Sequence, residues 1–160
     1  MTVPFIGEDI IDEVTASLSD NEAYYNEIVA DMQGKQPILF SYLLSESFKL
    51  LTKEESDYLF YLAVVIWKSL DEHVKALPIL TSDLIENVEE KNWTIFNESK
   101  ARGFRDKLDA FFYNYPQEDL LAFVEDALVD DEDSFVTKEG RELLFIGLRT
   151  TIDTLCGISA

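Results

Sequence analysis

Very little in this chain is able to supply a thiolate or imidazole metal ligand or a covalent cross-link. It has one cysteine, Cys156, and one histidine, His73. A single cysteine excludes an intramolecular disulfide and every multi-cysteine metal centre. A di-iron site in a helical bundle needs Glu-x-x-His on two helices, whereas the residue three before the only histidine is Leu70. Four prolines and six glycines are too few for the many turns of a sandwich or barrel. The glycines are scattered, so no Gly-rich phosphate loop exists. Positive charge is scarce as well, with 13 Lys and Arg against 32 Asp and Glu, for a net charge of −19. Such a field repels nucleic-acid phosphates and anionic lipid, which excludes nucleic acid and membrane surfaces as expected partners. The longest apolar run, Tyr58 to Trp67, is ten residues, half of the ~20 a membrane helix requires. The opening MTVPFIGEDIIDE has no basic stretch before an apolar one, so no secretory signal is expected. The expectation is a soluble, cytoplasmic protein.

What the chain does have is core. Its residues are 47% apolar, with eleven Phe, seven Tyr and two Trp among the 160. A single domain of that size buries roughly 70% of the surface its unfolded chain exposes. The apolar spacing is helical almost throughout. A first helix is predicted over about 8–18, with Ile10, Ile11, Val14 and Leu18 on one face, and a second from Ser19-Asp20-Asn21 to Met32, stopped by Gly34. Pro37 suits the first turn of a third helix, running to about Leu50. Thr52 and Glu55 form a capping box, in which the hydroxyl accepts from the N–H three residues on and the carboxylate reaches back. The helix they open is apolar nearly all round, the mark of a buried central element. Thr81 or Ser82 opens a fifth helix, whose tail Trp93 to Phe96 is the one place where another structure would be no surprise. A sixth follows Gly103, Pro116 opens a seventh, and Thr137 an eighth. The prediction is an all-α, single-domain bundle of about eight helices spanning residues 1–160, with long central helices over about 52–73 and 137–155.

Two stretches echo each other. LTKEESDYLF begins at Leu51 and VTKEGRELLF at Val136, 85 positions later. Val29, Met32 and Pro37 are followed 79 positions on by Leu108, Phe111 and Pro116, and Leu39, Phe40 and Tyr42 meet Leu120, Leu121 and Phe123 at 81. The extra four residues match the length of Asp130-Asp131-Glu132-Asp133. These echoes suggest an internal duplication, about 21–73 and 104–156, as two helix triplets packed through their long helices. Helix capping and amphipathic patterns also recur by convergence, and no tetratricopeptide, ankyrin or HEAT signature is present.

Constellations that would carry chemistry fall away one by one. A twelve-residue calcium loop begun at Asp131 would place Asp131, Asp133, Glu139 and Glu142 at ligand positions, but Phe135 and Val136 stand where an oxygen ligand and a glycine are needed. Glu54, Glu55 and Asp57 sit in the first turns of a helix, where the dipole favours them. Cys156 reads as a small buried hydrophobe and His73 as a helix-end group. No catalytic residue, metal site or cofactor is expected. The local anomaly is basic: Lys100, Arg102, Arg105 and Lys107 gather four of the thirteen positive charges within eight residues. They mark a candidate contact for an anion or an acidic partner at the start of the sixth helix, or serve only to neutralise a helix end. Tyr24, Tyr25, Tyr113 and Tyr115 are the candidate rim of an interface, because neighbours on a helix diverge by about 100° and cannot all face inward.

The reading that survives is a non-enzymatic protein-interaction module, binding a protein partner or itself. One alternative is a small-ligand binder or enzyme with an inter-helical carboxylate and tyrosine site. Another is an acidic mimic that neutralises a basic nucleic-acid-binding partner.

Overall fold

The computed structural model describes residues 3–129 and 134–158. Among them are eight α-helices, a single 3-10 turn and no strand: α1 (Glu8–Ser19), α2 (Glu22–Lys35), α3 (Pro37–Leu43), the 3-10 turn (Glu46–Phe48), α4 (Lys53–Asp71), α5 (Ser82–Glu98), α6 (Phe104–Phe112), α7 (Glu118–Ala127) and α8 (Lys138–Cys156). They pack into one body around α4 and α8, the two long helices the sequence marks as central.

Most boundaries have the local cause the sequence advertises. Asn21, Thr52, Thr81 and Thr137 each accept a backbone N–H of the first turn they cap. Gly34 does not stop α2, which runs on to Lys35; the stop belongs to Pro37, because a residue before proline leaves helical geometry and Gln36 has φ −134°. The third helix is shorter than expected. It ends at Leu43, and Ser45 then turns its hydroxyl onto the Ser47 N–H to begin the 3-10 turn, the local competition with helix that serine is prone to. The tail of α5 stays helical through Trp93 and Phe96. The segment 130–133, whose length matches the four extra residues of the second echo and would make it a loop insertion, lies outside the described residues.

The core is continuous. Val64, Val65, Ile66 and Trp67 on α4 and Leu144, Phe145, Leu148, Ile152 and Leu155 on α8 are completely enclosed. Gly147 lets α8 come close, since a Cβ there would stand 2.8 Å from the Phe48 ring.

Two reciprocal arrangements tie the halves of the chain together. The Gln36 side chain clamps the segment before α5, donating to the Pro78 carbonyl and accepting from the Leu80 N–H at 2.7 and 3.1 Å. The Gln117 side chain clamps the segment before α1 in the same way, donating to Pro4 O and accepting from Ile6 N at 2.8 and 3.0 Å. Correspondingly α3 packs on α5 and α1 packs on α7. Between them the buried Glu55 carboxylate serves two helices. One oxygen accepts from the Thr52 N–H at 2.9 Å; the other accepts from the Thr137 N–H and hydroxyl at 2.7 and 2.9 Å. Residue 140 stands in α8 where Glu55 stands in α4, three past the threonine, and a Cβ there would overlap the Glu55 carboxylate. Glycine is what lets one carboxylate complete both caps.

Burial alone, the largest single influence, would push the Glu55 carboxyl up, but the hydrogen bonds from Thr52 and Thr137 together hold it below its ordinary value. A lowered folded-state value stabilises above the unfolded value of ~4.3, and that contribution is lost as pH falls through the folded one. Glu55→Gln, which turns an amide N–H₂ toward donors, is therefore expected to be less stable than wild type at pH 7. Urea unfolding in steps from pH 7 to pH 3 should show the gap narrowing below about pH 4. A gap constant with pH would mean that the charge of Glu55 contributes nothing.

Candidate functional site

Three of the four basic residues singled out in the sequence line one cleft. Arg102, Arg105 and Lys107, from the start of α6, converge with Lys138 and Arg141 of α8 on a cleft of about 620 Å³. Thus five of the chain's 13 cationic side chains line one concavity, against two carboxylates among the described residues, Glu125 and Glu142. Lys100 is exposed on the extended chain leading in and does not line it. The floor is apolar, built from Phe96 of α5, Phe104 of α6, and Leu128, Val129 and Val136. The ends of α5, α6, α7 and α8 thus come to one place.

Local chemistry explains how the cations are held. The Lys107 ammonium sits 4.6 Å from the Phe96 ring centroid, and the Arg141 guanidinium 5.6 Å from that of Phe104, geometry in which the ring face attracts a cation. Arg141 is nearly enclosed and donates from Nε to the Leu128 carbonyl at 2.8 Å. Arg105 lies 3.7 Å from Glu125 at the rim, an exposed pairing worth about 0–1 kcal/mol. Among the described residues no carboxylate pairs with Arg102, Lys107 or Lys138. Gly103 precedes α6 with no side chain capping it, so the first-turn N–H groups add a partial positive charge. A concavity of this size suits a small ligand or a few side chains of a partner. Among the described residues its lining sets five cations and two carboxylates over an apolar floor, an arrangement able to attract an anionic group.

The four tyrosines do not form a common rim. Tyr113 is 79% exposed, but Tyr115 is only 7% exposed and belongs to the core. That is a correction with a clear cause. Helix α6 has ended by Phe112, and Asn114 takes a left-handed φ of 51°, so the helical 100° rule does not apply and the chain folds Tyr115 inward. Tyr25 is half-buried with its ring centroid 5.9 Å from that of Tyr61, and Tyr24 is half-buried against the core.

Tyr115 leads to a polar cluster that sequence reasoning missed. Its hydroxyl donates to Asp153, which also accepts from Arg149 Nε at 3.0 Å to each oxygen and from Asn92 Nδ2 at 3.3 Å. Arg149 donates further to the Phe111 carbonyl at 3.0 Å and stacks 3.8 Å from the Tyr115 ring centroid, and Asn92 also reaches Thr150 at 3.1 Å. Burial pushes the Asp153 carboxyl up despite Arg149 beside it, and pushes the Cys156 thiol up to about 12, aided by Asp153. Cys156 itself is half-buried against the core rather than fully enclosed as the sequence suggested. All of Arg149, Asp153 and Asn92 are closed off from solvent, so the cluster is a structural strut rather than a site. The signal in the sequence was Arg and Asp four apart in the middle of the eighth helix.

Among the described residues no group of three or more His, Cys, Asp or Glu is placed to hold a metal ion, and no helix is long and apolar enough to cross a membrane. No protein-family model matches the chain, and no curated protein or solved structure shows significant similarity to it.

Proposed function

We propose that this protein is a non-enzymatic interaction module that captures an acidic segment of a partner protein in the α5–α8 cleft. The observation that carries this reading is the reversal of sign: a chain with net charge −19 gathers five cations around one concavity of about 620 Å³. Gathering like charges costs stability through mutual repulsion, and an anionic ligand removes that cost. The apolar floor beside Phe96 and Phe104 gives room for one uncharged anchor side chain, while the surrounding acidic surface rejects acidic chains everywhere else.

The test is a Glu-rich peptide carrying one Leu, labelled with a fluorophore and titrated by anisotropy. Binding is expected at 50 mM salt and should weaken at least tenfold by 500 mM, because exposed charges are screened within about 4 Å at such salt. Arg102→Glu with Arg105→Glu should leave the melting temperature within about 3 °C, since both side chains are exposed, yet abolish binding. Equal binding by the charge-reversed protein, or none by wild type at low salt, removes the proposal. A Lys-rich peptide that binds better would favour the acidic surface as the docking face instead.

A further inference from the structure

We infer that residues 4–73 and 78–156 are two copies of one four-helix unit, joined as the subunits of a two-fold dimer are joined, and that the acidic-segment cleft belongs to the second copy alone. The first part stands on contacts; the second rests on the reading given under Proposed function.

The repeat reaches further than the helix triplets visible in the sequence, because it includes the segments before α1 and α5. Pro4-Phe5-Ile6 and Pro78-Ile79-Leu80 are both held by a glutamine through the carbonyl of the first residue and the N–H of the third, and both leave the middle residue exposed, Phe5 at 52% and Ile79 at 70%. Each glutamine comes from the opposite half. A contact from i to j answered by one from j to i is the signature of a two-fold interface.

The surface repeats as well. A cleft of about 400 Å³ lies between α3 and α5, and one of about 320 Å³ between α7 and α1. Ile38, Ser41, Tyr42 and Ser45 line the first, and their counterparts 81 positions on, Asp119, Ala122, Phe123 and Asp126, line the second, whereas Glu46, Ser47 and Glu89 of the first have no lining counterpart. On the facing helices Ser82, Ile85 and Glu86 lie 74 positions after Glu8, Ile11 and Asp12. Two offsets shared by side chains on four helices are hard to produce by convergent capping. The shared Glu55 then lies where the two caps meet: the first copy supplies a carboxylate and the second supplies Gly140 as the room for it.

The same comparison separates what the fold requires from what it does not. At the 79-residue spacing, Phe104 corresponds to Tyr25, so α6 lacks the first three residues of α2. Extended chain replaces that missing stretch beside the cleft. Arg102, Arg105 and Lys107 correspond to Ala23, Asn26 and Ile28, and Arg141, at the 85 spacing, to Ser56. Of the five cations only Lys138 has a basic counterpart, Lys53, which pairs with Asp57 at 3.2 Å. The basic cleft is a departure of the second copy, not a property of the unit.

The experiment is an exchange at the shared cap in the full chain, read by thermal unfolding. Glu55→Gly should lower the melting temperature by roughly 10 °C, and Gly140→Glu, which sets a second carboxylate on the first, by at least as much. The double variant Glu55→Gly/Gly140→Glu should recover more than half of the loss, because two-fold equivalence lets Glu at 140 reach Thr52 as Glu55 reaches Thr137. A double variant no more stable than the worse single one, or three variants that all fail to fold, overturns the two-copy inference. On wild type, calorimetric titration with the Glu-rich peptide should give one site per chain. Two sites would overturn the assignment to the second copy while leaving the repeat intact; no binding would remove both the assignment and the proposed function, with the repeat still judged by the exchange.

Discussion

Arg149→Ala is expected to cost about 3–5 kcal/mol, the range for breaking a buried ion pair by removing one partner, and to lower the melting temperature by roughly 10–15 °C in a chain of this length. The reason is what it leaves behind. Asp153 is 3% exposed and would keep only Tyr115 and Asn92 as donors. The Phe111 carbonyl would lose its donor from Arg149, and the aromatic ring of Tyr115 would face a void. Burial already drives the Asp153 carboxyl upward with Arg149 in place; without it the carboxyl rises further. A raised folded-state value penalises the charged form, so the destabilisation should be largest at neutral pH and ease as acid protonates Asp153. Urea titrations of wild type and variant at pH 7 and pH 5 measure this. Replacing the group together, as Arg149→Met, Asp153→Leu and Tyr115→Phe, should be far milder than the single change, since well-packed apolar residues often substitute for a buried pair at little cost. A single variant within 1 kcal/mol of wild type would mean that the cluster is open to water.

The second large effect concerns the same helix one residue earlier. Leu148 is completely enclosed, and Leu148→Asp places a carboxylate there with no partner, a cost beyond the ~5–15 kcal/mol that holds a domain folded. The expected result is a chain without a cooperative unfolding transition, and with Trp67, fully enclosed in the native fold, emitting as if in water. Leu148→Ala should fold but lose about 2–5 kcal/mol. A folded Leu148→Asp protein would place that side chain at a surface and contradict the packing of α8 against α4 and α5.

The architecture was legible because its signals are local. Thr52, Thr81 and Thr137 announce helix starts through hydrogen bonds within four residues, and although Val64-Val65-Ile66 would also suit a strand, the length of the apolar run from Tyr58 to Trp67 and the cap before it favour a buried helix. The basic patch was legible by composition, since four cations in eight residues stand out in so acidic a chain. What completed the cleft was not. Lys138 and Arg141 reach it only because α8 passes beside the start of α6, and no local rule contains that crossing. Tyr115 was misplaced because a single left-handed residue, Asn114, is invisible to helical periodicity. The polar strut on α8 was missed for a related reason: Arg, Thr and Asp in a helix read as a solvated face, and only the neighbours show that this face has no solvent.

The glutamine clamps carry a consequence for synthesis. The bond from the Ile6 N–H to Gln117 spans 111 positions, which a ribosome adding ~5–20 residues per second covers in roughly 5–20 s. Through that interval α1 has been made and its docking face on α7 has not. The first half of each nascent chain waits with Ile6 and Ile11 uncovered, and its safety from aggregation in those seconds rests on the acidic residues that crowd α1, repelling one nascent chain from the next.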